Sequence, residues 1–289
     1  MRLFSQKKNH KSKSFFCENP NYSVFPEKNE GAEEISRNTE YTEDDRKNRI
    51  VGGTLYLVTT PIGNLAALSD RAKKTLAGVD FVAAEDTRNS AKLLTLLGIH
   101  KPMVSYFEHN KRERGEVICE RLRGGESCAL VTDAGMPGIS DPGEDIVRLC
   151  AERNIPVTAV PGPCAAVTAL TLSGLFTARF AFEGFLSTNR AKLKGDDRTL
   201  IFYEAPHKLR GTLDDLLAAF GDRKVSLCRE LTKLNEEITR TTLSGAVRLY
   251  SEREPRGEYV LIVDGQSELE AAGDAFWHDM TVEEHIQHY

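Results

Sequence analysis

The sequence predicts an α/β protein of two domains, a mostly parallel sheet with flanking helices followed by a mixed α/β domain. Three observations carry this. From Gly53 to Ser173, short apolar runs alternate with segments of helical period, the pattern left by parallel strands and crossover helices. After Leu175 the apolar runs follow one another with less helix between them, which marks a second domain with more antiparallel pairing. Finally, residues with ligand chemistry stand just after the last apolar position of run after run, where open α/β sheets bind their ligands.

Each element has a local signal. GTLYLVTTPIGN (53–64) is a β-rich run ended by a Pro/Gly turn. SDRAKKTLAGV opens on a Ser/Asp cap and continues at helical spacing into the short apolar run DFVAAEDTR. TRNSAKLLTLLGI reads as a helix closed by Gly98, MVSYFEHN as a strand, and KRERGEVICERLRGGE as a helix closed by Gly124 and Gly125. SCALVTDAG is a strand, GEDIVRLCAERN a helix, IPVTAVPGP a strand, and a further helix runs from about Cys164 to Ser173. In the second half RFAFEGFL and RTLIFYEAPH are strands joined by the polar stretch STNRAKLKGDD. HKLRGTLDDLLAAFG is a helix, KVSLCRELTK a strand and GEYVLIVDG a last strand. The expected organisation is an N-terminal disordered extension over 1–52, domains over 53–175 and 176–265, and a tail over 266–289 with the spacing of a truncated helical region.

Composition narrows the function. The formal net charge of -5 argues against a surface that traps polyanions everywhere, so any RNA contact is expected to be localised. Six cysteines are scattered without a CxxC pair and read as reduced core residues of a cytosolic protein. No stretch reaches the roughly 20 apolar residues of a membrane span. The opening MRLFSQKKNHKSKSFF is basic and free of acids but lacks the apolar core of a secretory signal, and reads as a solvated tail.

The strand ends carry TPIGN, EDTR, FEHN, DAGMPG, PGPC, EAPH and RELTK in turn. There is no GxGxxG after the first strand, no GxxxxGK[ST] and no GxSxG, so dinucleotide, P-loop and Ser-hydrolase chemistries lack support. His109, His207, His278, His285 and His288 are not at ligand spacing, and no metal is expected.

TPIGNLAALSDRA, AAEDTRNSAKLL, LVTDAGMPGISDPG, VPGPCAAVTAL, FEGFL, TLIFYEAPHKL and RELTKLNEE, in this order, resemble the ribosomal RNA small subunit methyltransferase I family, a branch of the tetrapyrrole methylase fold. The likeness covers roughly 53–265. It implies S-adenosylmethionine held between two α/β domains, a homodimer in the cytoplasm, and 2′-O-methylation of a cytidine in the decoding region of 16S rRNA in the 30S subunit. STNRAKLKGDD is shorter than the basic segment usual at that place in the family. A catalytically impaired donor- or RNA-binding relative, and a small-molecule methyltransferase acting on a tetrapyrrole, stand as alternatives.

By similarity, Asp133, Ala134 and Gly135 would lie along the donor, with Pro61, Cys164 and Ala165 closing the pocket. Tyr203 and Val260 or Leu261 would be apolar walls for the adenine. A general base for the hydroxyl is sought among Glu85, Asp86, Glu108, Glu204 and His207, with Arg88 holding a phosphate or orienting a carboxylate. Each has a plainer reading: Asp133 as a turn cap, Asp86 and Arg88 as an internal pair, His207 as a helix-start residue. Arg112, Arg114, Arg190, Lys192, Lys194, Lys208, Arg210, Arg229 and Lys233 would supply a basic track for the rRNA backbone.

Overall fold

The computed structural model describes residues 48–186 and 196–265. The extension expected over 1–52 lies, except for 48–52, outside the described residues. So do the tail and Arg190, Lys192 and Lys194.

The first half is an open sheet of five parallel strands in the order β3-β2-β4-β1-β5. Its strands are β1 (Leu55–Val58), β2 (Phe81–Ala84), β3 (Met103–Ser105), β4 (Cys128–Val131) and β5 (Val157–Val160). Side chains alternate across a strand, so each strand feeds two cores. On one face Leu55, Phe81, Ala83, Cys128 and Leu130 meet Ile118 and Leu122 of α3 (Lys111–Arg123) and Ile146 of α4 (Glu144–Glu152). On the other, Tyr56, Val58, Val82, Ala129 and Val131 meet Ala72 and Leu76 of α1 (Asp70–Gly78) and Leu94 of α2 (Thr87–Leu96). Cover on both faces explains why strands such as FVAA are apolar at every position rather than alternating.

The second half is a mixed sheet in the order β6-β7-β10-β8-β9. β6 (Phe180–Phe185) runs parallel to β7 (Thr199–Glu204); β10 (Tyr259–Val263), β8 (Lys224–Arg229) and β9 (Glu237–Thr242) are joined antiparallel. One face packs on α6 (Leu209–Phe220) and α7 (Leu243–Glu252). The opposite face, through Ile201, Cys228, Val260 and Ile262, packs on Ala166, Ala169 and Leu170 of α5 (Ala165–Ser173). The helix that follows the last strand of the parallel sheet therefore covers the other sheet, and the two are joined through it.

β9 and α7 fall in a stretch that the sequence pattern leaves without an element. β9 is a polar edge strand, none of whose residues is fully buried, so no apolar period marks it. It also runs into α7 without a Gly/Pro break: Thr242 ends the strand and caps the helix, its side chain accepting from the Gly245 amide. Among the described residues the cysteines are free thiols, and no helix is long and apolar enough to cross a membrane.

Leu130, fully buried in the middle strand of the parallel sheet, tests this core. Leu130→Ala is expected to lower stability by about 2–5 kcal/mol, seen as a lower urea midpoint at unchanged slope.

Candidate active site

Loops from both sheets converge on one cavity of about 340 Å³, near the lower end of the roughly 300–1,000 Å³ typical of ligand pockets. The parallel sheet contributes the segments after β1, β2 and β4 and the start of α5. The mixed sheet contributes the ends of β6, β7 and β8 and the start of β10. Antiparallel register puts Tyr259, first in β10, opposite Glu204 and Arg229, last in β7 and β8.

The run DAGMPGISDPG after β4 is the largest contributor, and its glycines have separate tasks. Gly135, at φ +82°, forms a two-way backbone bridge with Thr60: the Thr60 amide donates to the Gly135 carbonyl at 3.0 Å, and the Gly135 amide donates to the Thr60 carbonyl at 3.2 Å. Gly138 and Gly143 close the base of the loop, since a Cβ on Gly143 would stand 2.7 Å from the Gly138 nitrogen. The Thr60 hydroxyl adds a hydrogen bond to the Thr132 carbonyl at 3.1 Å, and the Thr59 hydroxyl one to the Val160 carbonyl at 3.0 Å. Three strand ends are thus stitched into one frame.

That frame gathers carboxylates. Asp133 accepts from the Asn89 side chain at 3.1 Å, and its own amide faces the Glu85 carboxylate at 3.5 Å. Burial raises the Glu85 carboxyl above its ordinary range, and the neighbouring charges of Asp133 and Asp86 add to the rise. Asp141 is pushed up to about 7, first by burial and then by Glu85 and Asp133. Across the cavity the Lys233 ammonium is tied to Glu230 at 2.8 Å and Glu258 at 2.9 Å. Six carboxyl side chains and one ammonium line the space, so it attracts cations and repels polyanions. Tyr203 and Val260 supply apolar wall on the mixed-sheet side.

Of the sequence-predicted residues, Glu85, Asp133, Ala134, Gly135, Cys164, Ala165, Tyr203, Glu204 and Val260 line the cavity. Others do not. Ile62, rather than its neighbour Pro61, is on the wall. Leu261 points to the opposite face of its sheet, into the core under α6 and α7. Asp86 caps α2 through the Arg88 amide and pairs with the Arg88 guanidinium at 2.7 Å, which holds it at about 2; its chemistry is that of an internal pair. Arg88 itself projects into solvent. Glu204 lines the cavity, but its two oxygens are engaged by the Ala205 amide and the Thr212 hydroxyl, which fasten β7 to α6. His207 is exposed in the turn before α6, away from the cavity wall. In the expected basic track, Arg229 is held by the Arg256 carbonyl and Glu237, and Arg210 by the Tyr250 carbonyl and Glu254.

Sequence reasoning passed over Asp141, Ile139, Phe185, Glu230 and Glu258. Asp141 and Ile139 were inside the Gly/Pro run, Phe185 inside FEGFL and Glu230 inside RELTK. Glu258 precedes a strand, and only antiparallel pairing brings that end to the site. Among the described residues no group of three or more His, Cys, Asp or Glu is arranged to hold a metal ion.

Residues 54–247 match the model of the tetrapyrrole (corrin/porphyrin) methylases. The chain is 46% identical over 255 residues to a ribosomal RNA small subunit methyltransferase I of Halalkalibacterium halodurans, covering 86% of this chain and 88% of that one. It is 44% identical over 245 residues to the protein of the same name from Bacillus subtilis, covering 82% and 84%. Among solved structures it resembles a uroporphyrin-III C-methyltransferase of Thermus thermophilus complexed with S-adenosylhomocysteine, with TM-score 0.54, 20% identity and coverage of 73% and 97%. A cobalt precorrin-4 methyltransferase aligns with TM-score 0.56 at 15% identity, covering 73% and 95%. At such identities these two structures speak for the fold.

The Asp141 carboxyl gives a pH signature. Folded, it keeps its proton up to about pH 7; unfolded, it releases it near the ordinary 3.8. Its contribution to stability is therefore present below pH 4 and lost as the pH rises through 7. Asp141→Asn, which cannot ionise, is expected to melt several degrees above the parent at pH 8 and within a degree or so of it at pH 4. Equal differences at both pH values in thermal melts would contradict the assignment.

Proposed function

The chain belongs to the tetrapyrrole methylase family and, within it, to the ribosomal RNA small subunit methyltransferase I group, and from that premise we propose that it methylates the 2′-hydroxyl of a cytidine in the decoding region of small-subunit rRNA, with S-adenosylmethionine as donor. The observation that carries the reading is the half-buried, carboxylate-lined cavity between the two sheets.

The residues fit such a donor. Bound there, S-adenosylmethionine would supply a methyl group already activated by a positively charged sulfur. Glu85, Asp133 and Asp141 complement the sulfonium and the ammonium of the amino acid tail. Gly135, with no side chain, lets the ligand approach main chain, and Tyr203 and Val260 offer apolar wall to a purine.

The chain's remaining tasks are alignment and proton removal. The frame of Thr60, Gly135 and Thr132 fixes the carboxylates in place, and orientation of this kind is among the largest sources of acceleration. Transfer would form the bond from the ribose oxygen to the methyl carbon while the donor's carbon–sulfur bond breaks, which leaves the hydroxyl's proton for this chain to remove. That proton passes to the Glu85–Asp141 pair, whose raised affinity for protons suits a base working near neutrality. A polyanion is repelled from the same cavity, so the phosphates of the acceptor stay outside and the ribose reaches in.

Purified protein with labelled donor is expected to methylate small ribosomal subunits that lack the modification, and mass mapping should place the label on a decoding-region cytidine ribose. Asp133→Ala should weaken donor binding by about 10- to 100-fold, the worth of one charge-assisted contact. Because a bound cation favours ionised Asp141, donor affinity should rise from pH 6 to pH 8, with proton release measurable by calorimetry in buffers of different ionisation enthalpy. S-adenosylhomocysteine, without the positive sulfur, should release less. Absence of label at saturating donor, or pH-independent donor affinity, would count against the reading.

A further inference from the structure

β6 has an irregularity that the donor site does not explain. Its register against β7 pairs Phe182 with Ile201 and then Gly184 with Phe202, leaving Glu183 as an extra residue in a bulge. Gly184 takes φ +65°, a conformation that favours glycine. An extra residue reverses the facing of everything beyond it. Without the bulge, Phe185 would fall on the face opposite Phe182, toward the core under α6 and α7. With it, Phe182 and Phe185 stand on the same face, both edge-on to Tyr203 with ring centroids 5.0 and 6.3 Å away. Phe185 is thereby taken out of reach of a core and set on the cavity wall, 57% exposed.

A second apolar side chain stands at the same opening. Ile139, in the loop after β4, also lines the cavity and is 40% exposed. The two carrying segments touch, since a Cβ on Gly184 would lie 3.5 Å from the Ser140 hydroxyl. Ser140 itself holds φ +68°, an uncommon backbone state for a residue with a side chain. The strand bulge and the strained loop each turn an apolar group toward the opening.

We infer that Phe185, with Ile139 beside it, is the platform on which the base of the accepting nucleotide stacks while its ribose enters the cavity. The inference rests on the methyltransferase reading above and deepens it. A cavity of about 340 Å³ is small for a whole nucleotide beside the donor, so the acceptor's ribose would enter and its base would stay at the rim. Proteins that single out one nucleotide of a single-stranded RNA segment stack its splayed-out base on aromatic side chains. The purine of the donor has deeper walls in Tyr203 and Val260, the latter 6% exposed, and does not need a ring so open to solvent. Such a platform meets only the face of a base, and the polyanionic backbone stays away from the carboxylates.

The test uses the full chain, S-adenosylmethionine and small-subunit RNA lacking the modification. Phe185→Ala should lower kcat/KM for RNA by about 5- to 150-fold, the range found when a stacking ring is removed, while the Kd for the donor stays within about twofold. Phe185→Tyr should restore most of the loss and Phe185→Leu little of it. RNA carrying an abasic ribose at the methylated position keeps the accepting hydroxyl. It should lose as much as the alanine variant does, and the two changes together should cost no more than either alone. Undiminished activity of Phe185→Ala, donor affinity falling in step with activity, or multiplying effects of the two changes would overturn the inference. If the wild-type protein transfers no label to RNA, the parent reading falls in that arm and this inference with it.

Discussion

Acidic side chains crowded into a half-buried space repel one another, and the site is organised around holding them there. Glu85, Asp133 and Asp141 each come from a different point on the loops after β2 and β4. Nothing in their surroundings favours the gathering of charge, since burial first and the neighbouring carboxylates second raise the carboxyls of Glu85 and Asp141. Main chain does the holding, through the Thr60–Gly135 bridge and the close approach of Gly138 to Gly143. Strain accumulates in the same place. Of the four described non-glycine residues with positive φ, Ser140, Glu230 and Thr232 stand in the two loops that face each other across the cavity. A bound cation would relieve the repulsion, so the arrangement is costly when empty and favourable when filled.

This works only if the two sheets keep a fixed relation, and α5 supplies it. The helix leaves the parallel sheet at PGPC, and its small residues Ala166 and Ala169 let it lie close to β8 and β10 of the other sheet. At its far end Gly174 takes φ +76° and Arg240 of β9 reaches across to the carbonyls of Ser173 and Leu172. A cation on the last carbonyls of a helix satisfies groups without intrahelical partners and complements the helix dipole. The start of α5 is consequently fixed in the cavity while its end is fastened to the edge strand.

Much of this was legible in the sequence, for identifiable reasons. Strands buried on both faces write themselves as continuous apolar runs, and a cap such as Ser69 marks a helix start. The rule that ligands meet the carboxyl ends of strands found Glu85, Asp133 and Tyr203, yet could not find Glu258, which stands before a strand. Nor could spacing reveal which charged groups are already engaged. Asp86 and Arg88 look like chemistry in EDTR and are a helix cap with its partner. Glu204 looks like a base in EAPH and is a brace between β7 and α6. Phe185 carries no signal of its own in FEGFL, because a bulge, invisible in hydrophobic pattern, decides which face it takes.

A negative cavity and a polyanionic acceptor are compatible only if their contacts are kept apart. With a net charge of -5 and several arginines of the mixed sheet committed to internal partners, the described surface offers no general trap for RNA. Affinity for backbone phosphates must come from local cations, of which Lys208, Arg112 and Arg114 are exposed. On the proposed reading the cavity would admit one cationic donor and one sugar hydroxyl. Repulsion would then act as a selector: a nucleotide whose base is held at an apolar rim would present its ribose without bringing phosphate among the carboxylates, whereas one approaching backbone first would be turned away.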